Sequence, residues 1–251
     1  MAIKIAVAGK GGTGKTTLTG MIIRYIVENK LGSVLAVDAD TNSNLNEVLG
    51  LEVNETIGNA RETMKTDVPQ GMPKDTYIEY KVQEAVNEGD GYDLLVMGTP
   101  EGQGCYCAAN TLCKKYIDVL LDNYDYIVID NEAGMEHMSR LLTKDIDYFF
   151  MISDPSRRGL LTIKRIKELA ETLKLNIQNF IIIVNRVKGE VPQATKDFLD
   201  KEGITPDIYI EEDDKIAELD MAGEPTYKLP ADSISLQKMF SLLDKFLRAN
   251  N

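Results

Sequence analysis

The chain has 251 residues, of which 43% are hydrophobic and 27% charged, proportions ordinary for one large globular domain with a sizeable core. Its formal charge of −12 argues against general binding to DNA or anionic lipid, and no apolar run approaches the roughly 18 residues that a membrane span needs. The first apolar strand begins at Ile3, where a leader peptide would stand. Together with a content of three cysteines, this predicts a protein of the reducing cytoplasm.

Short apolar runs alternate with helical periodicity along the chain. Continuous apolar strands between helices are typical of a parallel sheet covered on both faces. We therefore predict one α/β domain over 1–251, with a mostly parallel sheet of seven or eight strands and helices on both sides. Segment 52–91 has no clear period and is predicted to be an irregular or partly helical insertion, while 157–174 is predicted as a long helix. The predicted strands are Ile3–Ala8, Val34–Val37, Leu94–Met97, Tyr126–Ile129, Tyr148–Ile152, Phe180–Val184 and Ile208–Ile210.

A glycine-rich segment follows the first strand directly. Residues 9–17 read Gly-Lys-Gly-Gly-Thr-Gly-Lys-Thr-Thr, a complete match to the phosphate-binding loop pattern in its strand–loop–helix context. Glycines let backbone N–H groups close on a polyphosphate, and a helix starting near Gly14 adds its positive end. Lys15 is expected to reach the terminal phosphates, and the Thr16 hydroxyl to bind Mg²⁺. The predicted nucleotide contacts here are Gly11, Gly12, Thr13, Gly14, Lys15, Thr16 and Thr17.

A second lysine, Lys10, stands at the start of this loop. The order Lys-Gly-Gly-x-Gly-Lys-Thr-Thr resembles the deviant phosphate-binding loop of the MinD/ParA/nitrogenase-iron-protein superfamily. The resemblance implies an ATP-dependent homodimer in which Lys10 crosses the interface to the partner's nucleotide. There it would stabilise the charge of the transition state, as an arginine finger does in other NTPases.

Two acids follow the second strand, Asp38 and Asp40. Carboxylates at the carboxyl end of a parallel strand face the ligand crevice. The resemblance implies that this is switch I, with Asp38 positioning the attacking water and Asp40 in the outer shell of Mg²⁺. The alternative is that either acid caps a helix beginning near Asn44.

A third acid, Asp130, ends the apolar strand that starts at Tyr126, and would hold Mg²⁺ through water. Gly134 stands four residues later, a spacing that resembles switch II, where this glycine senses the γ-phosphate. Many relatives carry proline in place of Glu132, so that position departs from the family pattern.

The strand ending at Val184 is followed by Asn185 and Arg186. By resemblance, Asn185 reads the adenine edge through its amide, and Arg186 belongs to the same nucleotide site. The guanine-reading Asn-Lys-x-Asp pattern is absent, which favours ATP over GTP; the alternative for Asn185 is a strand-ending turn residue. Segment 214–225 resembles the adenine-side loop and helix of the superfamily.

Cys105 and Cys107 form a Cys-x-Cys pair. In an extended segment, residues two apart point the same way, so both thiolates can bind one soft ion. Two thiolates make half a site, and a symmetric dimer would supply the other pair for Zn²⁺, Ni²⁺ or an iron–sulfur cluster. The alternative is that the cysteines are small buried hydrophobic residues.

Together with the deviant loop, this pair resembles the CooC-type nickel-insertion ATPases that mature carbon monoxide dehydrogenase and acetyl-CoA synthase. The Ala-Gly-Met-Glu-His stretch at 133–137 matches that family too. The resemblance implies a nickel chaperone that uses ATP and Mg²⁺, dimerises, and delivers Ni²⁺ to a client enzyme, with no nucleic acid or membrane as partner. Cys113 is predicted to be a core residue, and His137, the single histidine, is left outside the metal site.

Two other functions stay open. A positioning ATPase like MinD or ParA would use Ser235–Asn251 as a membrane helix, although the same apolar face suits packing on the sheet. An ATP-driven electron donor like the nitrogenase iron protein would take its cluster ligands from two cysteines far apart in sequence, whereas here Cys105 and Cys107 are two residues apart and no cysteine follows Asp130.

Overall fold

One eight-stranded sheet runs through the part of the chain that the computed structural model describes, residues 2–40, 44–98, 107–131 and 144–248, with backbone alone at 64–66 and 107–113. The strand order is β3-β4-β2-β5-β1-β6-β7-β8, parallel throughout except that β3 is antiparallel to β4. This confirms the predicted fold class. The strands are β1 (Ile3–Gly9), β2 (Val34–Ala39), β3 (Val86–Glu88), β4 (Asp93–Val96), β5 (Tyr126–Asn131), β6 (Asp145–Ser153), β7 (Asn176–Val187) and β8 (Ile208–Glu211).

Helices cover both faces of the sheet. Several begin at side chains that cap their first turn: the Thr56, Ser156 and Ser233 hydroxyls each accept a backbone N–H three residues on. The helices are α1 (Lys15–Glu28), α2 (Leu45–Leu49), α3 (Ile57–Thr66), α4 (Lys74–Glu84), α5 (Cys107–Leu121), α6 (Arg157–Thr172), α7 (Gln193–Glu202), α8 (Asp214–Ala222) and α9 (Ile234–Leu243), with a 3₁₀ turn at Thr226–Lys228 and a π turn at Asp244–Arg248.

The central strands are buried on both sides, as the continuous apolar runs predict. In β1, Ile5 and Val7 pack under α1, whereas Ala6 and Ala8 face the α6 side. The predicted helix over 157–174 is confirmed as α6, with Ile163 and Ile166 fully in the core. The sheet is therefore rigid where β1 delivers the glycine-rich loop.

Segment 52–91 is more regular than predicted, since it contains α3, α4 and the short edge strand β3. Both helices are polar on most of their surface, which hides their period, although Tyr77 and Ile78 of α4 are buried. β3 has three residues, too few to show alternation. The buried Asn87 amide fixes this edge by donating to the carbonyls of Ala85 and Leu94.

The C-terminal helix α9 packs on the sheet and on α1. Tyr25 of α1 donates its hydroxyl to Asp244 at 2.7 Å and meets Phe240 edge to face at 5.2 Å. The apolar face considered for a membrane is thus turned to the core, and no helix in the described part of the chain is long and apolar enough to span one. The buried apolar residues are Leu236, Met239, Leu242 and Leu243 of α9 and Leu247 of the π turn that follows it.

Candidate active site

The glycine-rich loop joins β1 to α1 as predicted. Gly12 and Gly14 have φ of 79° and 86°, backbone conformations that glycine adopts without strain. Gly14 precedes α1 and places no side chain over its first turn, so the helix N-terminus is open to an anion. The Thr13 hydroxyl donates to the Lys10 carbonyl at 2.7 Å and closes the loop from below. The geometry fits a polyphosphate.

The two lysines of the loop have different surroundings. Lys15 is 8% exposed and lies close to Asp130. Its charge partly opposes the rise that burial causes in the pKa of that carboxyl. Lys10 is exposed. An exposed lysine beside the phosphate loop is free to reach towards another molecule, which is what its predicted role across a dimer interface requires.

Asp38 and Asp130 occupy the floor of the site, side by side on β2 and β5. Burial raises the pKa of Asp38 to about 6 and that of Asp130 to about 7. For Asp130, burial and the neighbouring Asp38 outweigh hydrogen bonds from Thr16 and Thr19 and the charge of Lys15. One oxygen of Asp130, Oδ1, is buried and has no hydrogen-bond partner among the described residues.

That oxygen gives a test of fit for Mg²⁺. A buried carboxylate oxygen without a donor, close to a cationic lysine and a threonine hydroxyl, is the kind of ligand that Mg²⁺ or one of its waters takes. Thr16 and Asp130 therefore fit a nucleotide-bound magnesium ion, which would neutralise the phosphates when bound. Asp40 lines the same cleft and stays the predicted outer-shell ligand.

Asp38 makes contacts that match the helix-cap alternative. Its Oδ2 accepts the N–H of Leu45, the first residue of α2, at 3.0 Å, and its Oδ1 accepts the Asp40 N–H at 3.1 Å. The carboxyl thereby ties the residues after β2 to the start of α2. Water positioning by Asp38 stays a prediction.

The end of β7 contacts the glycine-rich loop directly, which sequence reasoning missed. Asn185, 8% exposed, donates its Nδ2 to the Thr13 carbonyl at 2.9 Å, and Arg186 donates its Nη1 to the Gly12 carbonyl at 2.9 Å. One of the two N–H groups of the Asn185 amide is used on the loop, which leaves the second N–H and Oδ1 for the predicted contact with a base. Oδ1 is an acceptor of the kind that the 6-amino group of adenine requires.

Two adjoining cavities meet at the glycine-rich loop. One, of about 760 Å³, is lined by the first turn of α1 and by Asp40. The other, of about 370 Å³, is lined by Asn185, Arg186 and α8, where the adenine side was predicted at 214–225. Residues common to both linings include Gly12, Gly14, Thr17, Asp220 and Thr226. Asp220 lies within the segment predicted for the adenine side, whereas Thr226 is a candidate that no motif had indicated.

The cysteine segment is described only in part. α5 begins at Cys107, so the extended geometry expected for the pair does not include Cys107, while Cys105 lies outside the described residues. Cys113 falls within α5, as expected, with backbone alone described. Glu132, Gly134 and His137 also lie outside. Within the described ranges, no three His, Cys, Asp or Glu residues come together to hold a metal ion.

Comparison with known proteins places the chain in a family. Residues 4–226 match the CobQ/CobB/MinD/ParA nucleotide binding domain, and the chain belongs to that family. With its fold and its complete phosphate-binding loop, the protein is an ATPase of the MinD/ParA class, hydrolysing ATP to ADP and phosphate.

Individual relatives span most of the chain. An uncharacterized ATP-binding protein of Methanocaldococcus jannaschii is 40% identical over 248 residues, 97% of this chain and 98% of its own. The carbon monoxide dehydrogenase accessory protein CooC of Rhodospirillum rubrum is 30% identical over 205 residues, 75% of this chain and 76% of its own. The structure of MinD with Mg-ADP from Pyrococcus horikoshii superimposes with a TM-score of 0.70 at 24% identity, covering 100% of this chain and 98% of that one.

Proposed function

We propose that this ATPase is a nickel chaperone of the CooC type, which binds Ni²⁺ between two copies and delivers it to a nickel enzyme such as carbon monoxide dehydrogenase or acetyl-CoA synthase. The observation that carries the proposal is a Cys-x-Cys pair, whose second cysteine begins α5, in an ATPase that is 30% identical to CooC over 205 residues. α5 runs back to the start of β5. Its first residue, Cys107, therefore lies on the side of the sheet where the parallel strands end and where β1 leads into the glycine-rich loop. Nucleotide and cargo would thus bind on the same side, at the carboxyl ends of the strands.

Each residue of the site has a proposed part in the cycle. The loop from Gly11 to Thr17 binds the phosphates, with Lys15 on the terminal ones and Thr16 and Asp130 towards Mg²⁺. Asn185 recognises adenine, and Gly134 senses the γ-phosphate. Lys10 reaches the partner's nucleotide, so that ATP holds two copies together and hydrolysis lets them separate.

The cargo site would be shared between copies. Cys105 and Cys107 of each copy supply two thiolates, and four sulfurs suit Ni²⁺ in a square-planar arrangement or Zn²⁺ in a tetrahedral one. Coupling requires that nucleotide and nickel favour the same dimer state. ATP should then raise nickel affinity, and nickel should raise ATP affinity by the same factor.

The test is an anaerobic Ni²⁺ titration with and without ATP. We compare the wild type with Cys105→Ser/Cys107→Ser and with Cys113→Ser, the matched control that removes the third thiol of the chain, from the helix that begins at Cys107. Tight binding of about one nickel per two chains, lost in the double variant and kept in the control, supports the proposal. Equal weak binding by all three proteins would remove nickel from the function.

A second candidate, a MinD-like positioning ATPase, is favoured by the family match. The burial of α9 opposes its membrane-anchored form, because the apolar face that would enter lipid already packs on α1. Co-sedimentation with anionic vesicles in the presence of ATP distinguishes the two candidates.

A further inference from the structure

Near the ends of the paired strands β7 and β8, β7 has one residue more than the matching stretch of β8. The three steps of β7 from Val184 to Val187 lie opposite the two steps of β8 from Tyr209 to Glu211. Val184 and Val187 nevertheless pack in the same buried cluster, so the extra residue lies between them. This is a β-bulge, a device that turns side chains out of their regular alternation.

The bulge holds Arg186 in an unusual backbone conformation. Its φ is 59°, in the left-handed region that residues with a Cβ adopt seldom. Asparagine and glycine tolerate this region better, and strain kept at the edge of a ligand cleft is often tied to function.

The bulge turns two consecutive side chains towards the glycine-rich loop. The Arg186 guanidinium holds the Gly12 carbonyl and the Asn185 amide holds the Thr13 carbonyl, both at 2.9 Å. In a trans peptide the N–H points opposite to the C=O. Fixing the Gly12 carbonyl therefore fixes the N–H of Thr13 in the same peptide, and this N–H bonds the Lys10 carbonyl at 3.4 Å. Fixing the Thr13 carbonyl turns the N–H of Gly14 away from β7.

The guanidinium is itself held from its other side. Its Nη2 contacts Glu212 at 3.3 Å, and the other oxygen of Glu212 contacts Lys188 at 3.0 Å. Glu212 is anchored through its own N–H, which donates to the Val187 carbonyl at 3.0 Å. The residue that follows β8 on the adenine side is in this way connected to the phosphate side through Arg186.

We propose that Arg186 is a positioning residue for the nucleotide phosphates: the strained bulge is kept because it lets the guanidinium, held by Glu212, fix the Gly12 peptide of the glycine-rich loop. Arg186 acts through the loop and does not touch the phosphates. The inference rests on the proposed binding of ATP to this loop and is independent of nickel.

The test uses substitutions that keep the backbone. Arg186→Gly and Arg186→Asn both tolerate positive φ, so each removes the guanidinium and leaves the bulge. We expect the Kd values of ATP and of ADP to rise by the same factor, about three- to tenfold, the net contribution of one ordinary hydrogen bond, because the arginine side chain is 54% exposed. Binding of adenosine, measured by competition, should not change, and the thermal midpoint should not fall, because the strained conformation is relieved.

Lys188→Ala is the matched control. It removes the same charge two residues away and an ion pair with the same Glu212, while among the described residues Lys188 is paired with Glu212 and not with the glycine-rich loop. We expect the Kd of ATP in this variant to change by less than about twofold, since an exposed ion pair contributes little.

Three results would overturn the assignment. Unchanged ATP and ADP affinities in both Arg186 variants would show that the loop does not depend on the guanidinium. A loss for ATP alone would mean a direct contact with the γ-phosphate, and an equal loss for adenosine would mean a role at the base. Failure of the wild type to bind ATP would instead overturn the proposed nucleotide site itself.

Discussion

Asp38 on β2 and Asp130 on β5 are register partners on neighbouring strands, and their exposed fractions are 0% and 2%. Each carboxyl is deprived of water, and the charge of Asp38 further raises the pKa of Asp130. Two acids so placed oppose folding when both are ionised, a cost that the positive charge of a bound magnesium ion would offset.

Replacing Asp130 by asparagine should stabilise the nucleotide-free protein at neutral and higher pH. The pKa of Asp130 is raised from 3.8 in the unfolded chain to about 7 in the folded one. Stability due to the protonated carboxyl is therefore full below pH about 4 and is lost as the pH rises through about 7. Relative to the wild type, Asp130→Asn should gain stability between about pH 5.5 and about pH 8, and its ATPase rate should fall at least tenfold.

Urea unfolding in EDTA at those two pH values measures the gain. The same difference in unfolding free energy between the two proteins at both values would contradict the buried ionisation of Asp130. A rate close to that of the wild type would contradict its role at magnesium.

Gly14→Ala should damage both the fold and ATP binding. A Cβ on Gly14 would lie 2.6 Å from the Asn185 Nδ2, and φ is 86°. Gly203 has φ of 65° with no atom within 4 Å of a Cβ, so Gly203→Ala shows the cost of the backbone alone. We expect about 1–2 kcal/mol for Gly203→Ala and a larger loss for Gly14→Ala, measured by urea unfolding. Equal losses in the two variants would mean that the clash between the new Cβ and the Asn185 Nδ2 adds nothing to the cost of the backbone conformation.

Asn185→Asp and Asn185→Ala should separate the two contacts of this side chain. A carboxylate cannot donate to the Thr13 carbonyl, but it still accepts from the 6-amino group of adenine. Asn185→Asp should thus weaken ATP binding and keep the preference over GTP, whereas Asn185→Ala should lose both. Competition between ATP and GTP for the two variants checks this, and loss of the preference in Asn185→Asp would argue against the assigned orientation of the amide.

Met239→Ala should destabilise the protein by about 2–4 kcal/mol, because this side chain of α9 is fully buried in the core. Ile234, on the same helix, is 47% exposed, and Ile234→Ala should cost well under 1 kcal/mol. Thermal or urea unfolding measures both. If Met239→Ala cost no more than Ile234→Ala, α9 would not be part of the core in solution.

The fold was predictable where single elements carry strong signals. Each of the seven predicted strands corresponds to an observed one, because a strand buried on both faces must be apolar along its length. β3 was missed, since its three residues have no period and its position depends on pairing with β4. Segment 52–91 was predicted as irregular or partly helical, but α3 and α4 could not be placed in it because their faces are only half buried.

The site was predictable where chemistry follows from local order, as in the glycine-rich loop and the acids that end β2 and β5. The contact of Arg186 with Gly12 joins residues 174 apart in sequence, and no local pattern reports a contact at that range. The cap that Asp38 makes to Leu45 depends likewise on the turn between two elements. Long-range geometry of this kind needs the tertiary structure.

Arg24, two turns along α1 from the glycine-rich loop, donates from Nη1 to the carbonyls of Tyr227 and Leu229. The helix that offers its N-terminus to the phosphates therefore also carries the turn at Thr226, which lines both cavities. The two walls of the cleft are preorganised by folding, and little of the free energy of ATP binding has to be used to order them. Affinity for ATP therefore depends in part on the packing behind α1. A substitution that loosens this packing should weaken ATP binding even though it lies far from any nucleotide atom.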